Sequence, residues 1–160
     1  ADDRPEAALA VLEAAAVSVG SAHTTVMRKA LAADEATRLV FVAQAKRLLG
    51  DFVGAQAALT MADATADDRP YLRAEWLLEC AWLAHDRADR AAAGPLAQQA
   101  LARFERVGAA IDVARARVLL GRLHRDRSQL DLAEATFRER GALVHLTDVA
   151  RAREDLERSA

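Results

Sequence analysis

Four histidines and a single cysteine are the residues of this chain with which a catalytic reading has to begin. His85 is followed directly by Asp86, a nitrogen and an oxygen ligand side by side, as a helical metal-dependent phosphohydrolase would use. Such a centre needs further histidines and an aspartate around the metal. His23, His124 and His145 are scattered, and no two histidines stand at the i, i+3 or i, i+4 spacing that puts ligands on one helix face. Cys80 falls between Leu77 and Ala81 on an apolar helix face, the setting of a small core residue rather than a nucleophile. The segment from Gly50 to Gly54 lacks the lysine and Ser/Thr of a phosphate loop. The phosphohydrolase reading therefore ranks low, no enzyme activity is assigned, and neither a cofactor nor a metal is expected.

Arginine supplies most of the remaining polar chemistry. The chain has 22 basic and 24 acidic residues, a net charge of -2, and only Lys29 and Lys46 are lysine. That balance produces no long-range field toward nucleic acid or an anionic membrane. A local set, Arg115, Arg117, Arg122, Arg125 and Arg127, lies around a helix rather than along one stripe, with Asp112 and Asp126 beside it. Nucleic-acid binding accordingly ranks behind protein binding. A lone Cys80 excludes an intramolecular disulfide. Apolar stretches such as Leu39 to Ala45 are broken by charge well before the roughly 18 residues of a membrane span, and nothing resembles a targeting signal. A cytoplasmic location is expected by elimination, and a first residue Ala1 suggests a piece of something larger.

Repetition gives these residues their frame. Asp112-Val113-Ala114-Arg115-Ala116-Arg117 recurs as Asp148-Val149-Ala150-Arg151-Ala152-Arg153, an offset of 36. Ala43, Ala81 and Gly121 are each followed twelve positions later by Ala55, Ala93 and Ala133, in steps of 38 and then 40. Periods between about 20 and 50 residues mark solenoids, whose units bury their apolar faces only by stacking. Hydrophobic residues make up 52% of the chain but aromatics only 4%, so the core must rest on close backbone approach between helices.

Helices are expected over residues 34–49, 52–62, 70–86, 91–107, 110–126, 130–140 and 144–158, with Gly50-Asp51 ending the first and Pro70 opening the third. Pro95 is tolerable if it lies within about the first turn. The turn Asp126-Arg127-Ser128 echoes Asp86-Arg87-Ala88 at an offset of 40. Ala1-Asp2-Asp3-Arg4-Pro5 duplicates Ala66-Asp67-Asp68-Arg69-Pro70, which places one more helix from Pro5 to Val19. Residues 20–33 are ambiguous, and the frame between Ala133 and Asp148 stays open. The polar finish Glu154, Asp155, Glu157 and Arg158 is that of a terminal cap.

Gly50-Asp51-Phe52 with Ala55, and Leu120-Gly121 with Ala133 and Phe137, resemble the tetratricopeptide repeat, and Ala81, Ala93 and Ala100 form a looser match. A spacing of 38 to 40 resembles the longer variant in bacterial regulators that join such repeats to ATPase or DNA-binding domains. Arg117 stands where that family often has a bulky apolar residue, and no unit has the usual tyrosine. The resemblance implies an all-α α-α superhelix, a solenoid of antiparallel helix pairs. It divides one structural domain into an N-terminal helical segment (1–33), three helix pairs (34–142) and a capping helix (143–160).

The family lines its concave surface with the first helix of each pair. That implies Thr37, Val40, Gln44 and Arg47, then Glu75, Leu78, Trp82 and His85, then Arg115, Val118, Arg122 and Arg125. Steps of three, four and three place each set on one helix face. Guanidinium groups favour carboxylates, so an acidic segment or a C-terminal carboxylate is the expected guest, with Trp82 as an apolar anchor. The expected function is a non-catalytic scaffold for a protein or peptide partner, the interaction or sensory part of a larger bacterial regulator. Self-association through an uncovered end face is the alternative.

Overall fold

The computed structural model describes residues 25–66 and 69–158, together with Glu6 and Ala10. From Thr25 onward, among the described residues, seven α-helices follow one another: α1 (Thr25–Leu48), α2 (Phe52–Ala66), α3 (Pro70–Asp86), α4 (Arg90–Val107), α5 (Ala110–His124), α6 (Arg127–Glu139) and α7 (Leu146–Arg158). A 3₁₀ turn, Leu143–His145, precedes α7. There is no strand among the described residues, and no helix there is long and apolar enough to cross a membrane.

One device ends five of these helices, α1, α3, α4, α5 and α6. Gly50, Ala88, Gly108, Arg125 and Gly141 each adopt a left-handed backbone. The N–H of the next residue then bonds to the carbonyl five back: Asp51 to Lys46, Asp89 to Ala84, Ala109 to Phe104, Asp126 to Gly121, and Ala142 to Phe137. This is the Schellman closure, which satisfies carbonyls that the helix leaves without donors. Where the turn joins the two helices of a pair, the next residue is aspartate. Asp51, Asp89 and Asp126 accept bonds from the backbone N–H groups of Gly54, Ala92 and Ser128 at 2.8, 3.1 and 2.9 Å, which caps the following helix.

These turns settle the repeat frame. Neighbouring first helices keep the step near 40, since Arg115 reaches Glu75 and Arg122 lies over Trp82. The left-handed Arg125, however, follows Ala88 by 37 residues. The echo of Asp86-Arg87-Ala88 in Asp126-Arg127-Ser128 is thus not a structural equivalence. Gly108 and Gly141 are 33 apart, because α6 is about one turn shorter than α4, and the 3₁₀ turn adds three residues to restore the hexapeptide offset of 36. Both copies consequently begin at the third residue of their helices.

The boundaries shift accordingly. α1 starts at Thr25, so the later part of the ambiguous stretch is helix; α5 stops at His124 and α6 starts at Arg127. The expected cap from Asp67 and Asp68 lies outside the described residues. The N-cap of α3 is Arg69, without a side-chain cap bond and with Pro70 in the first turn. Pro95 sits in the second turn of a helix that continues through it. Of the helix expected from Pro5 to Val19, Glu6 and Ala10 are described and helical; the rest lies outside the described residues.

Among the described residues the core forms three successive clusters. The first joins α1 and α2 to Leu72 and Leu83 of α3. The second joins α3 and α4 to Val113, Ala116, Leu119 and Leu120 of α5. The third joins α5 and α6 to Val149, Ala152 and Leu156 of α7. Each contains one helix pair and the first helix of the next. Among the described residues, substantial packing between helices is confined to chain neighbours and to the series α1, α3, α5, α7. Small residues permit this approach: Ala36, Ala55, Ala74, Ala97, Ala114 and Ala133 are all buried.

Candidate binding face on the first helices

The face shared by α1, α3 and α5 is a ladder of paired charges. Glu75 and Glu79 stand one turn apart on α3 and are both buried. Arg47, from α1, reaches Glu79 at 3.3 Å and Asp86 at 2.7 Å. Arg115, from α5, reaches Glu75 at 2.8 Å and Asp112 at 2.9 Å. It also approaches Glu79 Oε1 at 3.6 Å, an ion-pair distance without a hydrogen bond. Tyr71 donates to Glu75 at 3.2 Å or to Asp112 at 3.0 Å.

The environment sets the protonation tendencies. Burial raises the Glu75 carboxyl, helped by the charges of Asp112 and Glu79 and opposed by Arg115. Burial alone would lower Arg115, but the Glu75 and Glu79 carboxylates outweigh it and hold the guanidinium firmly charged. Each charge thus has a partner across a helix boundary. Such pairs add little net stability, because the cost of desolvating both charges offsets their attraction.

At the other end of the same face, Trp82 lies between two guanidiniums. Arg47 and Arg122 are 5.5 and 5.6 Å from its ring centroid, the range of cation–π attraction. His85 meets the same ring edge-on at 5.7 Å. Burial, with Arg122, Arg90 and Arg47 nearby, lowers the His85 pKa against the pull of Asp86. His85 Nδ1 and Arg122 Nε are buried without a hydrogen-bond partner among the described residues. Among those residues no group of three or more His, Cys, Asp and Glu is placed to hold a metal.

The sequence-derived groove set therefore divides. Arg47, Glu75, Trp82, His85, Arg115 and Arg122 do come together on one face. Leu78 and Val118, at 0% and 2% exposure, belong to the core; with small residues bringing the helices close, the middle of the stripe closes instead of lining a trough. Gln44 is half-buried. Arg125 is diverted, because its left-handed turn position aims it at α7, where it donates to the Leu156 carbonyl at 2.9 Å. Arg122 pairs with Asp155 at 3.7 Å. The arginines expected to take a guest carboxylate thus already hold groups of the protein itself.

The open part of the face lies between α1 and α3. A pocket of about 210 Å³ is lined by Thr37, Val40 and Phe41 on one side and Arg69, Tyr71, Leu72 and Glu75 on the other. Phe41 and Tyr71 are exposed at 45% and 47%. Thr37, Val40 and Glu75 belong to the expected face, whereas Phe41, Arg69 and Tyr71 lie outside it. For Phe41 and Tyr71 the signal in the sequence is the presence of large rings in an alanine-rich background; nothing in the sequence singles out Arg69. Glu79 also falls outside the expected set, although it follows Glu75 by four positions and so shares its helix face.

Compared with known proteins, the chain matches no protein family, no curated protein and no solved structure at a significant level.

Proposed function

We propose that the protein is a non-catalytic scaffold, a tetratricopeptide-like solenoid of helix pairs that binds an extended segment of a partner protein. Three consecutive cores, each closing on the next first helix, support the solenoid reading. A place in a larger bacterial regulator is supported by the resemblance in repeat length.

The observation that carries the binding role is the apolar pocket between α1 and α3. An apolar cavity of about 150 Å³ takes a benzene-sized molecule, so this one takes one aromatic or branched aliphatic side group. Burial of such a group contributes about 1.5–3 kcal/mol. Arg69 lines the pocket and makes no ion pair among the described residues, which favours an acidic residue next to the anchor. The guest is then an acidic segment held by one large apolar residue, with recognition at Arg69 in place of Arg115, Arg122 and Arg125.

Selection from a random peptide library tests this. The reading expects binders that share a large apolar residue beside Asp or Glu, and loses support if Phe41→Asp and Arg69→Glu leave their affinity unchanged.

A further inference from the structure

We propose that the face opposite the first helices carries a second site, for a small aromatic or aliphatic monocarboxylate, in the trough between α2 and α4. Both helices pack on α3 without substantial packing on each other. The hollow left over has about 410 Å³, within the roughly 300–1,000 Å³ of small-molecule sites. Trp76 and Leu83 of α3 and Leu96 of α4 supply its apolar lining. The Trp76 indole is held in place by an N–H bond to the Leu59 carbonyl at 2.8 Å, so the lining is preformed.

The rest of the lining is largely polar. Arg87, Gln56 and Asp89 also line the hollow. Asp89 is engaged as the cap of α4 through the Ala92 N–H. Arg87 is exposed; its backbone N–H closes α3 on the Leu83 carbonyl, and its guanidinium makes no hydrogen bond or ion pair among the described residues. A guanidinium in the lining of a hollow that is part apolar and part polar matches a ligand with a flat or branched body and one carboxylate, which it grips through two parallel N–H bonds. The carboxylate of Asp89 nearby disfavours a second negative charge. Cys80 lines the same hollow, but burial pushes its thiol up to about 12, so it remains a neutral thiol and the binding is non-covalent.

The test uses 2-naphthoate and the Trp82→Phe protein, in which Trp76 is the remaining indole. Saturable quenching of Trp76 fluorescence is expected, with a Kd raised at least tenfold by Arg87→Glu and unchanged by Arg90→Glu. Naphthalene-2-carboxamide, which lacks the charge, should bind Arg87→Glu and its parent alike. Ala84→Leu, which fills the hollow, should abolish quenching at unchanged helicity; should it fail to fold, the Arg87 comparison still decides. A linear, non-saturating response, or saturable binding indifferent to Arg87→Glu, overturns the proposal.

Discussion

Replacing Glu79 with alanine removes the carboxylate that links α1 to α5 through α3. Its side chain is 2% exposed and its partners Arg47 and Arg115 are 9% and 20% exposed, so the loss is that of a buried pair. Removing one partner of such a pair costs about 3–5 kcal/mol, mostly because the remaining charge is stranded. Here Arg47 keeps Asp86, and Arg115 keeps Glu75 and Asp112, which places the effect near the lower bound, about 3 kcal/mol. At about 2–4 °C per kcal/mol for a protein of this size, Tm should fall by about 6–12 °C. Thermal unfolding followed by circular dichroism measures it. Asp86→Ala, which removes a more exposed partner of the same arginine, should cost no more than about 1 kcal/mol. Glu79→Leu combined with Arg47→Met should recover most of the loss, because an apolar pair strands no charge on α1. A Glu79→Ala protein melting within about 2 °C of the parent, or no lower than Asp86→Ala, would refute the ladder as a coupling between units.

Other consequences follow from the same geometry. A Cβ at Gly121 would stand 2.6 Å from Leu130 Cδ2 and 3.1 Å from the Asp126 carbonyl, so Gly121→Ala should destabilise by about 1–3 kcal/mol in urea melts. At Gly94 the nearest atom is His124 Cε1 at 3.9 Å, so Gly94→Ala should stabilise by up to about 1 kcal/mol. Ala88 holds a left-handed backbone at φ 61°, and Ala88→Gly should relieve about 1 kcal/mol of strain; no gain would contradict the turn frame. His85 is held below its ordinary pKa of 6.5, so the unfolded state takes up a proton that the folded state resists. Its stabilising contribution is present above pH 6.5 and is lost as pH falls from there toward the folded pKa. Between about pH 7.5 and 5.5, Tm should fall further in the parent than in His85→Gln.

The helices are legible because alanine, leucine and valine recur at helical spacing and because Gly50 and Pro70 punctuate the sequence. The third unit is not. Nothing in the residue types announces that Arg125 takes a left-handed turn, so the alanine pattern carries the step of 40 past a turn that comes at 37. The face is legible as a set of positions but not as chemistry. Spacing places Arg115 and Arg122 on one stripe; whether they face solvent or the acids of neighbouring helices depends on how closely those helices approach. Glu75 marks the limit: on sequence it lines a groove as a free acid, and in the fold it borders the α1–α3 pocket with its carboxylate held by Tyr71 and Arg115.

The binding role is tested most directly by the amide spectrum of the isotope-labelled protein titrated with a library-selected acidic peptide. The account predicts that the largest shifts fall at Thr37, Phe41, Arg69, Tyr71 and Leu72, and that Phe41→Asp suppresses them. Shifts confined to α6 and α7, or unaltered by Phe41→Asp, would contradict it.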